Sequence, residues 1–130
     1  MFNFQKEKIH TDHAPQNTGP YSQALKIGPF IYTSGEGPLD PKTGEIVAGS
    51  IEEQTQLTFQ NIEAILNVAG ATLEDVVKVS AHLQDINDFE RFNQTYESIF
   101  TWPIKPVRTT VGSDLTGIKV EVDVVAFVKD

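Results

Sequence analysis

Two residues in this chain combine a reactive type with a setting that could put it to use. Arg108 sits in "KPVRTTVG", residues 105–112, where a proline-punctuated loop opens into a strand-like segment with two hydroxyl residues and a glycine. An arginine is always charged and presents a planar fork of donors suited to a carboxylate or phosphate. Glu121 lies inside "KVEVDVVA", residues 119–126, the most apolar strand-like segment of the chain. A carboxylate there has three fates: solvated at a surface, paired with a cation, or held for catalysis. The polar turn "SDLTG", residues 113–117, reads as a tight connection. It makes the two strands antiparallel neighbours, with Arg108 and Glu121 near the same end of the sheet. A structural ion pair between them is the competing reading.

The other candidates are weaker alone. "GPYSQ", residues 19–23, puts Tyr21 on a loop entering a strand, where its hydroxyl could face a cleft or simply pack. "TSGEGP", residues 33–38, offers small residues whose backbone a ligand can approach closely. It lacks the lysine and following helix of a phosphate-binding loop. "HTDH" gathers His10, Asp12 and His13, a metal-ligating trio in type, but on an extended N-terminal arm with no second cluster. His82 falls on the mixed face of its strand and reads as structural.

These residues need elements to position them. Segments 23–27 and 30–34 form a hairpin broken at Gly28-Pro29. Ser50 and Glu53 match a capping box ahead of a helix whose stripe is Ile62, Ile65, Leu66 and Ala69, with Gly70 as its stop. "DVVKVSAHL" alternates, with Val77, Val79, Ala81 and Leu83 on one face and Val76, Lys78, Ser80 and His82 on the other. A second helix follows, capped by Asn87 and Glu90 and burying Phe89, Phe92, Tyr96, Ile99 and Phe100. Two strands, 107–112 and 118–128, close the chain. The order is ββαβαββ, an α+β sheet with two helices on one face. The uncovered face carries Val76, Val125 and Phe127 among polar groups, a pattern that suits a symmetric homo-oligomer.

Composition narrows the function. The 130 residues are read as one domain spanning 1–130. Ten basic against eighteen acidic residues give a formal charge of −8, which disfavours non-specific nucleic-acid binding. Cysteine is absent, so disulfides, thiolate catalysis and sulfur-ligated metal are excluded. The N-terminus has no basic segment before an apolar run, and no apolar run approaches a membrane span. The expectation is a soluble, cytoplasmic protein without membrane contact.

Eight motifs then occur in order: "GPYSQA" (19–24), "TSG" (33–35), "DPKTGE" (40–45), "DVVKV" (75–79), "L-x-D-x-x-D-F" (83–89), "FNQTYESIF" (92–100), "P-x-R-T" (106–109) and "KVEVDVVA" (119–126). Together they resemble the RidA/YjgF family of reactive imine deaminases, from about residue 9 to 128. The resemblance implies a chorismate-mutase-like homotrimer with active sites in clefts between subunits. It implies hydrolysis of 2-iminoacids, such as iminopropanoate and iminobutanoate, to 2-ketoacids and ammonia, with no metal and no organic cofactor. Carried onto this chain, it makes Arg108 the carboxylate-binding arginine, Glu121 the holder of the attacking water and Tyr21 the loop tyrosine. Ser34 and Gly35 become the small-residue lining, Asn93 the helix asparagine at the cleft, and Thr109 and Thr110 the positions whose backbone meets the substrate.

The chain departs from the family pattern in places. Thr110 stands where many members carry cysteine or alanine, and Glu36 replaces the glutamine common after "SG". Segments 101–108 and 112–118 are slightly shorter, which touches substrate range. Members have also been labelled endoribonucleases or translation inhibitors, which the acidic composition and the lack of a basic-aromatic strip argue against. A third reading is a non-catalytic module that binds a small carboxylate such as a 2-ketoacid.

Overall fold

A computed structural model describes residues 3–128. Its elements are β1 (Lys6–Ile9), β2 (Ala24–Ile27), β3 (Phe30–Thr33), α1 (Ile51–Val68), β4 (Val76–Leu83), α2 (Phe89–Ile99), β5 (Val107–Gly112) and β6 (Val120–Phe127). The strands form one six-stranded mixed sheet in the order β1-β2-β3-β6-β4-β5. The α+β sheet with two helices is therefore as expected, with one strand more: the N-terminal arm pairs antiparallel with β2, Lys6 opposite Ile27 and Ile9 opposite Ala24.

The alternation along β6 decides which side is the core. Val120, Val122, Val124 and Ala126 are buried, while Glu121, Asp123 and Val125 between them are half-buried. Helix α1 packs on the buried side, with Phe59, Ile62, Ile65 and Leu66 fully enclosed. Helix α2 joins it through edge-on contacts of Phe59 with Tyr96 and Phe100, at centroid distances of 5.8 and 5.3 Å. α1 starts as its sequence requires: the Ser50 hydroxyl accepts from the Glu53 amide, and the Glu53 carboxylate accepts from the Ser50 amide. Past its end Gly70 takes φ +85°, the left-handed conformation that favours glycine.

Three expectations are corrected. First, Val76 is buried and Val77 exposed, because a bulge between Val76 and Lys78 shifts the register of β4 against β6. The extra residue turns the start of the strand over. Second, Asn87 and Glu90 do not cap α2. A 3-10 turn, Ile86–Asp88, precedes the helix, and the Asp85 carboxylate accepts from the Asn87 amide. Third, β5 and β6 are not neighbours. β4 lies between them, parallel to β5 and antiparallel to β6. Segment 113–119 is long enough to step across one strand, since two strand spacings are only about 10 Å.

Among the described residues, Glu36 is the buried carboxylic acid of this core, 7% exposed. Its backbone bridges Val122 in both directions, at 2.8 and 2.9 Å, extending the sheet beyond β3. Burial first, and the charge of Glu121 second, push its carboxyl up to about 8. The acid thus binds its proton more tightly folded than unfolded.

Two predictions follow from this packing. Ser50→Ala should cost about 1 kcal/mol, read from urea unfolding, because one amide of the first turn loses its acceptor. For Glu36 the folded value lies above the ordinary 4.5, so its stabilising protonation is complete below that value and lost as pH rises toward 8. Glu36→Gln should match the parent near pH 4.5 and exceed it by on the order of 4 kcal/mol at pH 8. A stability difference that stays flat with pH would contradict it.

Candidate functional site

The two lead residues emerge on different surfaces. In register, Arg108 pairs with Val79, and Val79 with Val124. All three therefore share the helix side of the sheet. Glu121 alternates with the buried valines of β6 and pairs with His82, so it points to the helix-free side. The expected meeting of Arg108 and Glu121 on adjoining strands does not occur within one chain, and neither does the ion pair that would have explained them both.

Around Glu121 the sequence candidates do gather. Tyr21, Ser34, Gly35 and Glu121 line an open depression of about 350 Å³. Its base is fixed by Gln23, whose buried amide bonds the Thr11 amide and the Thr11 and Pro15 carbonyls at 2.8, 3.1 and 3.0 Å. The Ser34 amide donates to the Gln23 carbonyl and the Ser34 hydroxyl to the Ser22 carbonyl, at 2.9 and 2.6 Å. These bonds hold the Tyr21 loop against the end of β3. The Tyr21 hydroxyl lies 3.3 Å from the Thr18 hydroxyl, and its ring is exposed. Gly35 is a matter of space. A Cβ there would stand 3.0 Å from the Glu121 carboxyl carbon and 3.1 Å from its Oε2. The carboxylate lies directly on bare backbone.

Around Arg108 the partners come from α2. Its Nη2 donates to the Asn93 Oδ1 at 2.6 Å. Its guanidinium carbon lies 4.6 Å from the ring centroid of Tyr96, 5.5 Å from Phe92 and 5.6 Å from Phe89. Residues 89, 92, 93 and 96 follow the i, i+3, i+4, i+7 spacing of one helix face, so a single face supplies the whole cradle. Such stacking favours the cation by roughly 0.5–2 kcal/mol. Burial raises the Tyr96 hydroxyl, against the opposing charge of Arg108. Among the described residues no carboxylate lies within ion-pair distance of Arg108. Thr110 shares the helix side of β5, its Oγ1 buried without a hydrogen-bond partner, whereas Thr109 faces the helix-free side.

The remaining candidates serve locally. His10 and Asp12 touch at 3.3 Å in an exposed pair, and His82 Nδ1 lies 2.8 Å from the Ser113 hydroxyl. Sequence reasoning placed Phe89, Phe92 and Tyr96 in the helix stripe but missed their role as a bed for Arg108. The signal was present: Asn93 shares that face, and a polar residue inside an aromatic stripe requires a polar partner. Among the described residues no helix is long and apolar enough to cross a membrane.

Known proteins carry the same pattern. Residues 11–128 match the family model described as Endoribonuclease L-PSP. A RutC family protein of Pyrococcus abyssi is 53% identical over 106 residues, 82% of this chain and 83% of that one. The 2-iminobutanoate/2-iminopropanoate deaminase of Dermatophagoides farinae is 40% identical over 107 residues, again 82% and 83% of the two chains. The crystal structure of E. coli TdcF with bound serine superposes with a TM-score of 0.88 at 33% identity, covering 95% of this chain and 99% of that one. With the family model spanning nearly the whole chain and the fold shared throughout, this chain belongs to the RidA/YjgF family, also described as Endoribonuclease L-PSP.

Proposed function

We propose that this protein hydrolyses small 2-iminoacids to 2-ketoacids and ammonia, at a site completed when two copies meet. One observation carries the reading: among the described residues, the one side chain hydrogen-bonded to the positioned Arg108 cation is a neutral amide. Aromatic faces and Asn93 hold the fork in place without neutralising it, which leaves it ready for an anion. A small carboxylate fits that need bidentately, which fixes both the position and the plane of the substrate. The relative named as an iminobutanoate and iminopropanoate deaminase, and the TdcF structure with its small amino acid, support the same ligand class.

Copies of the chain have reason to associate. The helix-free face exposes Phe30, Tyr32, Val107, Val111 and Phe127, more apolar surface than scattered single residues explain. Association in a closed ring, a homotrimer by family analogy, brings the Arg108 group of one copy to the Tyr21–Glu121 depression of the next. The chemistry then runs in two steps. Glu121 aligns a water and takes its proton as the oxygen attacks C2 of the protonated imine, giving a carbinolamine. Glu121 then returns its proton to the nitrogen, the C–N bond breaks as the oxygen closes to the ketone, and the hydroxyl proton leaves with the departing ammonia as ammonium. Backbone groups of Thr109 and Thr110 hold the imine nitrogen, and Tyr21, Ser34 and Gly35 shape the pocket. No metal or organic cofactor takes part.

Two tests address this. In a coupled assay with an amino-acid oxidase supplying the imine, Arg108→Ala should lower kcat/KM by at least a hundredfold, about 3 kcal/mol of transition-state stabilisation. Arg108→Lys should recover little of it, because a point charge cannot fix the carboxylate plane. Glu121→Ala should abolish hydrolysis yet retain 2-ketobutanoate binding by calorimetry; unchanged hydrolysis would leave a small-carboxylate binding module as the better reading. The second test mixes the two inactive proteins. Arg108→Ala and Glu121→Ala, unfolded and refolded together, should regain about a quarter of parental activity, the share of interfaces where an intact arginine meets an intact glutamate. No recovery from verified mixed oligomers would place both residues' roles within one chain.

A further inference from the structure

Ser34 and Gly35 are consecutive, yet both line the Glu121 depression. In a regular strand successive residues point to opposite faces. The pairing of β3 with β6 accounts for the exception. Phe30, Ile31 and Tyr32 stand opposite Phe127, Ala126 and Val125 in turn. Continued, that register would set Thr33 opposite Val124 and Gly35 opposite Val122. Instead Glu36 is bridged to Val122, with backbone bonds in both directions. Thr33, Ser34 and Gly35 therefore face only Val124 and Asp123, and the strand carries a bulge of one extra residue.

A bulge interrupts the ladder, and here a side chain fills the gap. The Val128 amide donates to the Pro29 carbonyl at 2.8 Å. Alternate pairs exchange hydrogen bonds on an antiparallel ladder, so after Pro29 with Val128 come Ile31 with Ala126 and then Thr33 with Val124. The Val124 amide is thus due at the Thr33 carbonyl. It donates to the Thr33 hydroxyl instead, at 3.0 Å. On the other flank the Ser34 amide and hydroxyl are tied to the Gln23 and Ser22 carbonyls. The consequence falls on Glu121. The bulge carries the Gly35 backbone over its carboxyl, so close that a Cβ would stand 3.0 Å from the carboxyl carbon.

We propose that Thr33 is a positioning residue for Glu121: its hydroxyl holds the bulge that brings Ser34 and Gly35 together on the side of that carboxylate. The inference rests on the imine-hydrolysis reading and adds to it the residue that shapes the water-holding half of the site. Thr33 acts through the backbone beside it. With the hydroxyl gone, the Val124 amide inside the sheet loses its acceptor, which favours a slip toward the regular register. That slip draws Gly35 toward Val122 and off Glu121, and it turns Glu36 to the helix-free side. Arg108 lies on β5, beyond β4 and on the helix side, so the grip on the substrate carboxylate is spared.

The experiment compares Thr33→Val, which keeps the shape and removes the acceptor, with Thr33→Ser, which keeps the acceptor. Thr33→Ala takes the place of Thr33→Val where the latter does not fold. Each is assayed with iminobutanoate at a temperature where urea unfolding shows it fully folded. Thr33→Val should lower kcat by about tenfold or more, while 2-ketobutanoate affinity by calorimetry stays within about twofold of the parent. Thr33→Ser should stay within about threefold of the parent in both. Lost stability with unchanged kcat overturns the proposal, as does an equal loss of kcat in both variants or a ketoacid affinity that falls along with kcat. If the parent itself hydrolyses no imine, the functional reading has failed, and carbon-13 NMR of the Glu121 carboxyl then decides the positioning. A resonance that moves in Thr33→Val and matches the parent in Thr33→Ser upholds the hold of the bulge on the carboxylate. One that is unmoved in Thr33→Val, or moved alike in both, overturns it.

Discussion

A guanidinium cannot shed its charge, so a fold that half-buries one has to hold it by means other than neutralisation. Here the means is the face of α2. Three aromatic rings and one amide oxygen surround Arg108 from a single stripe of that helix. The rings supply area and the attraction of their faces; Asn93 fixes the direction of the fork. The same stripe is what α2 uses to pack on α1, through Tyr96 and Phe59. Binding geometry and core packing are therefore one construction, and loosening either disturbs the other.

The parity of the sheet imposes the second constraint. Residues of a strand alternate between faces, and register carries that alternation across neighbours. With β4 between β5 and β6, Arg108 belongs to one side and Glu121 to the other. No side-chain rotation closes that separation. A chemistry that needs both groups, as proposed, has to recruit them from different copies, and the helix-free face leaves Phe30, Tyr32 and Phe127 exposed for such a contact.

Much of this was legible in the sequence, and the parts that were not have a common cause. The Ser50–Glu53 box, the α1 stripe and the alternation of β6 are local signals, written in residues a few positions apart. The grouping of Tyr21, Ser34 and Gly35 with Glu121 was recoverable through family motifs. What escaped was adjacency. A strand's pattern says which face it buries but not which strand lies beside it, so "SDLTG" read as a hairpin when the chain steps over β4. A bulge at Val77 reversed two side chains because one extra residue is invisible to a period of two. The burial of Glu36 carried no local signal, since a glutamate between glycines reads as a loop. Only its bridge to Val122 buries it.

The two rims of the sheet are finished differently. β1 ends it with Lys6, Glu7 and Lys8, whose charges discourage another strand from adding there. β5 ends it with Val107 and Val111 exposed beside the backbone of an outer strand, and with Ile104 almost bare in the loop before it. An isolated chain thus offers one guarded margin and one adhesive margin. If copies associate as proposed, a mutation that separates them leaves the β5 margin bare, with Val107 and Val111 open to non-specific pairing while the core stays intact.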